Sequence, residues 1–409
     1  MKIKKILFLT FKYPYGEFGA STHCTTKIIE ELCSTQKYEI HCCSHYDGHE
    51  GAFDVIPEVI IHKLPIAPDR KKIPALLSRI FFLFRMPIYP LNNIWSTFKH
   101  YKACKKVCRE DVYDLVIAQC FPLQSVLVGT LLKRNKYINN LMVIFWDNIY
   151  GTLPKRVIPK RFALNRQKKL EEFVARYSDL MVSLYPIKAF HEEYGDVPSA
   201  LGKRMYLGVP KVLPPIRLGA SKYDYVIKKE KINILYSGNI FRKEYVEIIV
   251  KVLNQISFVN EINLVFFSKG IKKEEFSTFK SNFNGTISDN GWIPVSDLLS
   301  LYKDVDFFLS FPGNPNAIRS KCFEYMSYGA PLILLYDADS DVNVHTFSKY
   351  PRYISVKLHK DVKENAKALE QFILFQRNKK VPFFDVERLF AEDSPKAYVN
   401  LINNYLLDI

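Results

Sequence analysis

The chain has 409 residues, longer than one hydrophobic core ordinarily serves, so two domains are expected. Hydrophobic residues make up 48% and charged residues 24%, a balance that excludes a fibrous or disordered chain. The formal net charge of +16 points to an anionic partner, whether nucleic acid, anionic lipid or a phosphorylated ligand.

The first segment has the basic start of a signal peptide. Its apolar run is short, ends at Lys12 and lacks a small-residue cleavage site, so it reads as a buried strand over 5–11. A loop containing Gly16-Glu-Phe-Gly19 follows, then a helix over 22–34 with Ile28, Ile29 and Leu32 on one face, then a strand over 39–44. This is a βαβ opening. Residues 70–109 carry ten Lys/Arg and no acid, and residues 155–169 carry seven more, also with none. Strands are expected over 114–119 and 141–147, the second ending in Trp146-Asp147, followed by a helix over 168–177, a strand over 179–183 and a short strand and turn over 205–210.

Residues 208–222 are rich in Pro, Gly and Ser without periodicity and read as a linker. A second series then begins. It runs strand 232–236, a Gly238 loop, helix 244–256, strand 262–267, Gly291-Trp-Ile-Pro, helix 296–303, strand 307–310, helix 320–328 and strand 331–336. The tail over 396–407 looks helical. Continuous apolar runs bounded by turn residues suit parallel strands buried on both faces. The expected fold class is therefore α/β, with two Rossmann-like, doubly wound parallel-sheet domains facing a cleft and ligands held outside the carboxyl ends of the strands. The expected division is 1–207, a linker 208–222, 223–390, and a C-terminal helix in 391–409 that crosses back. No segment has the ~18 uncharged apolar residues of a membrane span.

Several segments suggest chemistry. Gly16 and Gly19 sit between strand and helix, where glycines let a backbone approach a phosphate, or simply make a tight turn. Gly238-Asn-Ile-Phe-Arg242-Lys243 holds the same place in the second series and reads as a diphosphate cradle or as a solvated helix start. Asp147 ends a strand, as an acceptor-binding carboxylate or a turn residue. Asp337-Ala-Asp-Ser-Asp341 invites an Asp-x-Asp metal reading, but no metal is expected. The eight cysteines form no Cys-x-x-Cys and read as reduced thiols. Residues 70–106 interleave cations with Phe81, Phe82, Phe84 and Trp95, which suits an anionic bilayer surface or a core helix with a basic rim. No nucleic-acid recognition motif accompanies them, so no nucleic-acid partner is expected.

The segment Asn316-Ala-Ile-Arg-Ser-Lys321-Cys-Phe-Glu324-Tyr-Met-Ser-Tyr-Gly329-Ala-Pro331 resembles the signature of the retaining GT-B glycosyltransferases of family 4. Gly291-Trp292-Ile293-Pro and the Gly238–Lys243 loop fall where that family has its preceding motifs, and Tyr206-Leu-Gly-Val matches its turn before the linker. The resemblance covers residues 230–336 most closely and is collinear over 1–210.

The resemblance implies that Glu324 accepts the hydroxyls of a donor ribose. Lys243, Arg242 and Lys321 would face the diphosphate, and Trp292 and Ile293 would line the nucleotide. Two positions depart from the pattern: Asn316 stands where the family has a sugar-contacting Glu, and Asn239 where it has an Arg. The implied activity is transfer of a sugar from a nucleotide donor, UDP-sugar first, to a glycan or glycolipid acceptor. No cofactor is expected, Asp147 and Asn316 lie at the reacting end, and the protein sits on the cytoplasmic face of a bacterial membrane during surface polysaccharide synthesis. A nucleotide-sugar epimerase of the same fold and a non-catalytic glycan- or partner-binding protein are the alternatives.

Overall fold

The computed structural model describes residues 3–11, 20–45, 56–64, 89–90, 94–120, 122–147, 149, 159–216, 219, 221–240, 242–270 and 272–409. Gly16, Gly19 and most of the basic segment before residue 94 lie outside the described residues. The chain divides into two compact units. Unit 1 comprises Met1–Pro210 and Pro395–Ile409, and unit 2 comprises Lys211–Ser394.

In unit 1 the elements run β1 Lys4–Phe11, α1 Ala20–Ser34, β2 Tyr38–His45, β3 Val59–Leu64, α2 Ile94–Glu110, β4 Leu115–Cys120 and α3 Leu123–Arg134. They continue as β5 Leu141–Phe145, α4 Lys160–Tyr177, β6 Leu180–Leu184, α5 Tyr185–Tyr194 and β7 Arg204–Leu207. All seven strands are parallel, in the order β3-β2-β1-β4-β5-β6-β7. Every residue of β4 and β5 is buried, as expected of strands with helices on both faces. Leu9, Ala118, Val143 and Met181 belong to one apolar cluster, each such side chain contributing roughly 1–3 kcal/mol by burial.

Unit 2 runs β8 Ile232–Asn239, α6 Glu244–Leu253, β9 Ile262–Lys269, α7 Lys273–Asn282, β10 Thr286–Asp289, α8 Val295–Leu301 and β11 Phe307–Ser310. It continues as α9 Lys321–Ser327, β12 Leu332–Tyr336, α10 Val342–Phe347, β13 Tyr353–Lys357, α11 Val362–Gln376 and α12 Phe383–Leu389. Its six strands are also parallel, in the order β10-β9-β8-β11-β12-β13. The last helix, α13 Pro395–Asp408, belongs to unit 1 and packs on α1.

Both sheets reverse their winding at a central pair of strands, β1/β4 and β8/β11. Such switch points leave a crevice outside the carboxyl ends of the two strands, where ligands of doubly wound sheets bind. In unit 2 the chain leaving β8 carries Gly238, and the chain leaving β11 leads to α9 with Lys321 and Glu324.

Candidate functional site

Buried hydroxyls join the end of β8 to α9. Ser237 N–H donates to Tyr325 Oη at 2.9 Å, and Ser237 Oγ lies 3.0 Å from Tyr325 Oη and 2.9 Å from Tyr302 Oη. The Tyr325 ring stacks on Phe308 of β11 at 4.3 Å between centroids. Tyr325 thus fixes α9 to both strands of the switch point and sets Lys321 and Glu324 on a helix tied to Ser237, the residue before Gly238.

Gly238 has φ +147°, and a Cβ there would stand 3.1 Å from Tyr236 Oη, which itself donates to the Asn239 carbonyl at 2.8 Å. The turn therefore needs glycine. The approach to α9 is fixed by Arg319. Its backbone N–H donates to Asn343 Oδ1 at 2.8 Å, one guanidinium nitrogen donates to the Leu335 carbonyl at 2.7 Å, and another pairs with buried Asp341. Asp341 also caps α10.

Each acid of the Asp337–Asp341 loop has a basic partner. Asp341 has Arg319, Asp339 has Lys357 at 2.7 Å, and Asp337 has His359 at 2.9 Å. Two other acid–histidine groups in unit 1, Glu39–His41–Asp111 and Glu171–His191–Asp196, have metal-like spacing. Lys5 sits 2.6 Å from Asp111 and 3.1 Å from Glu39 in the first, and Arg204 sits 2.7 Å from Glu171 and 2.6 Å from Asp196 in the second. In both, a side-chain cation holds the place an ion would take.

Glu324 is not a free helix-surface carboxylate. Its Oε1 accepts from Lys211 Nζ at 2.8 Å, with the two side chains 17% and 7% exposed. Lys211 is in turn held by its backbone N–H, which donates to the Asp393 carbonyl at 2.8 Å. Lys321 stands close to both. Burial lowers its ammonium from the ordinary lysine range, Glu324 partly offsets this, and Lys211 adds to it. Two lysines thus surround one carboxylate, and the group carries excess positive charge. A carboxylate offers about four acceptor sites, more than the bond from Lys211 alone takes up.

The other expected residues are placed as follows. Arg242 and Lys243 are exposed just before α6. Arg242 lies over Tyr245 at 5.8 Å, and Lys243 is 3.4 Å from Glu275 of α7. Trp292 and Ile293 follow β10, two strands from β8; Ile293 is buried, while Trp292 is 56% exposed with Lys269 Nζ 4.5 Å from its ring centroid. Asn316 is exposed, and its backbone N–H donates to Asn314 Oδ1 at 3.1 Å.

In unit 1, Trp146 is buried and its Nε1–H donates to Gln119 Oε1 at 3.1 Å. Asp147 is accessible to solvent, yet the protein around it displaces enough water to hold its carboxyl above the ordinary range. The structure therefore groups Gly238, Lys321 and Glu324 at one switch point and adds Lys211. No pattern in the sequence marked Lys211 beyond its place after the Gly208-Val-Pro turn.

No protein-family model and no curated protein sequence matches the chain. Solved structures do. The lipopolysaccharide outer core galactosyltransferase WaaB is similar over 99% of both chains, with TM-score 0.57 and 16% identity. HepE from Anabaena, in complex with UDP and glucose, is similar over 99% of this chain and 100% of its own, with TM-score 0.59 and 11% identity. WaaG, a glycosyltransferase involved in lipopolysaccharide biosynthesis, is similar over 90% of each chain, with TM-score 0.52 and 13% identity. These likenesses define the class: the chain has the GT-B fold.

Proposed function

We propose that this protein is a glycosyltransferase that moves a sugar from a nucleotide donor, UDP-sugar first, to a hydroxyl of a lipid-linked glycan, with retention and without a metal. The observation that carries the reading is the Lys211–Glu324–Lys321 group at the β8/β11 switch point. A carboxylate there suits a ribose diol. Excess ammonium suits a diphosphate, whose negative charge grows as the sugar departs. Arg242 and Lys243 stand on the loop after Gly238 and would close on the distal phosphate. Asn316 would read the donor sugar and Asp147 the acceptor hydroxyl.

The similar structures agree in kind: two of them are lipopolysaccharide enzymes, and a third held UDP and glucose. The test is a product screen across UDP-, GDP- and dTDP-sugars, with Glu324→Ala as control. Loss of Glu324 should weaken nucleotide binding by roughly 30–1,000-fold, the worth of a charge-assisted buried contact. Nucleotide binding without turnover of any donor would favour a non-catalytic role, and conversion of donor alone would favour an epimerase.

An anionic membrane surface on the cytoplasmic side is the proposed working place. On α2, Trp95 is 65% and Phe98 43% exposed, with Lys99 and Lys102 lying over their rings. Among the described residues no helix is long and apolar enough to cross a membrane. Flotation with anionic vesicles should weaken as salt rises, since exposed charges are screened over about 8–10 Å. Equal flotation with neutral lipid would remove the charge argument.

A further inference from the structure

Unit 2 holds a second basic site at the other end of its sheet. A pocket of about 430 Å³ opens beside the amino ends of β12 and β13, lined among others by Arg352, Phe375, Gln376, Lys379, Lys380 and Asp385. Arg352 precedes β13, and its carbonyl accepts from Leu332 N–H at 2.8 Å, which fixes the pocket at the strand starts. The residues around Gly238 and α9 follow the strand ends. In a parallel sheet of five-residue strands the two places are about 15 Å apart.

The charges in the pocket are unbalanced. Three cations line it against one acid, and Asp385 already pairs with Arg388 at 2.8 Å. One guanidinium nitrogen of Arg352 donates to Gln376 Oε1, while its Nε–H is buried without a hydrogen-bond partner. A buried donor left unpaired is costly and calls for an acceptor. Lys380 Nζ donates to the Lys303 carbonyl, and burial lowers its ammonium despite nearby Asp304 and Asp306. Phe375 is 67% exposed at the rim, with Lys379 Nζ 3.7 Å from its ring centroid. The volume falls in the range of small-molecule sites.

We propose that this pocket binds a small phosphomonoester, with Arg352, Lys379 and Lys380 around the phosphate and Phe375 against the organic part. A guanidinium anchored by Gln376 and two lysine ammoniums suit a dianion better than a carboxylate. The exposed aromatic ring gives an apolar or planar substituent a face to rest on. The proposal is independent of the donor site, whose residues lie at the opposite strand ends.

Phenyl phosphate, inorganic phosphate and benzoate, titrated into the full chain by calorimetry, test it. Phenyl phosphate should bind several-fold tighter than inorganic phosphate, and benzoate should bind weakest. Arg352→Gln and Lys380→Met should each weaken phenyl phosphate about tenfold, in line with loss of one charge-assisted bond. Phe375→Ala should abolish the preference over inorganic phosphate, and the weakening caused by Lys380→Met should be the same when Lys321→Met is also present. Benzoate binding as tightly as phenyl phosphate would overturn the choice of anion. Binding lost in Lys321→Met but kept in Lys380→Met would move the anion to the other site. No binding by the wild type at millimolar concentration would overturn the pocket itself.

Discussion

Lys211 Nζ donates to Glu324 Oε1 at 2.8 Å, joining two residues 113 positions apart in the sequence. The carboxylate that the sequence marks for a ribose is therefore held in place before any ligand arrives. Removing Lys211 takes a hydrogen-bonded ammonium away from a largely buried carboxylate, with Lys321 still nearby. Lys211→Met is expected to cost about 1–3 kcal/mol of stability, below the usual figure for a broken buried pair because Lys321 remains. Adding Glu324→Gln should restore part of it. Urea unfolding of both variants measures this; an additive double variant would mean that the pair is not coupled.

Lys321 gives a protonation signature. Burial lowers its folded pKa below the ordinary lysine value, so between the two the unfolded chain binds more protons and stability rises with pH through that window. A diphosphate beside it would push the pKa back up. Nucleotide diphosphate binding at alkaline pH should then take up protons. Calorimetry in buffers of different ionisation enthalpy reads the uptake directly. Lys321→Met should remove it.

Asp147 behaves in the opposite sense for an acid. Its folded pKa is raised by loss of hydration, so ionisation is less favourable in the fold than in the unfolded chain. Asp147→Asn should stabilise the protein above that raised value. The gain should fade as pH falls and vanish below the ordinary carboxylate range, where both states are protonated. If Asp147 receives an acceptor hydroxyl, the same variant should lower turnover while leaving nucleotide affinity unchanged.

Asn316 offers an acceptor and a donor without charge. Asn316→Glu is expected to change the ratio of kcat/KM among donor sugars more than it changes nucleotide affinity. A shift common to all sugars would show that Asn316 does not read the sugar.

Gly329 closes α9 with φ +78°, and a Cβ there would stand 2.2 Å from the Val381 carbonyl oxygen. The Val381 N–H also donates to the Gly329 carbonyl at 2.9 Å. Gly329→Ala must displace backbone, not a side-chain tip. A loss of about 2–4 kcal/mol is expected from the strained φ and the clash together. A thermal unfolding curve matching wild type would contradict it.

The central strands were readable because they bury both faces. Runs such as Leu115-Val-Ile-Ala and Leu332-Ile-Leu-Leu admit no polar residue, and both became strands. The edge strands β3, β10 and β13 were not legible. Val59-Ile-Ile-His-Lys-Leu, Thr286-Ile-Ser-Asp and Tyr353-Ile-Ser-Val-Lys mix buried with partly exposed positions, so their apolar signal is broken. Helix α4 begins at Lys160, eight residues before the expected start at 168, because its first turns are basic and half solvated. At the site, Glu324 and Lys321 stood inside a dense local pattern. Lys211 did not: a single lysine among prolines carries no period, and its meaning comes only from a partner that folding brings to it.

The chain visits unit 1 twice. Helix α13 packs on α1, Lys4 Nζ donates to the Leu406 carbonyl, and the Tyr398 hydroxyl donates to the Gly208 carbonyl at 2.8 Å. Unit 2 is one uninterrupted stretch inside this loop of sequence. On a ribosome, which delivers residues in order, unit 2 is fully synthesised while unit 1 still lacks the helix that covers α1. The first half to emerge is thus the last to be finished, and until α13 arrives its apolar flank is the surface a chaperone would meet.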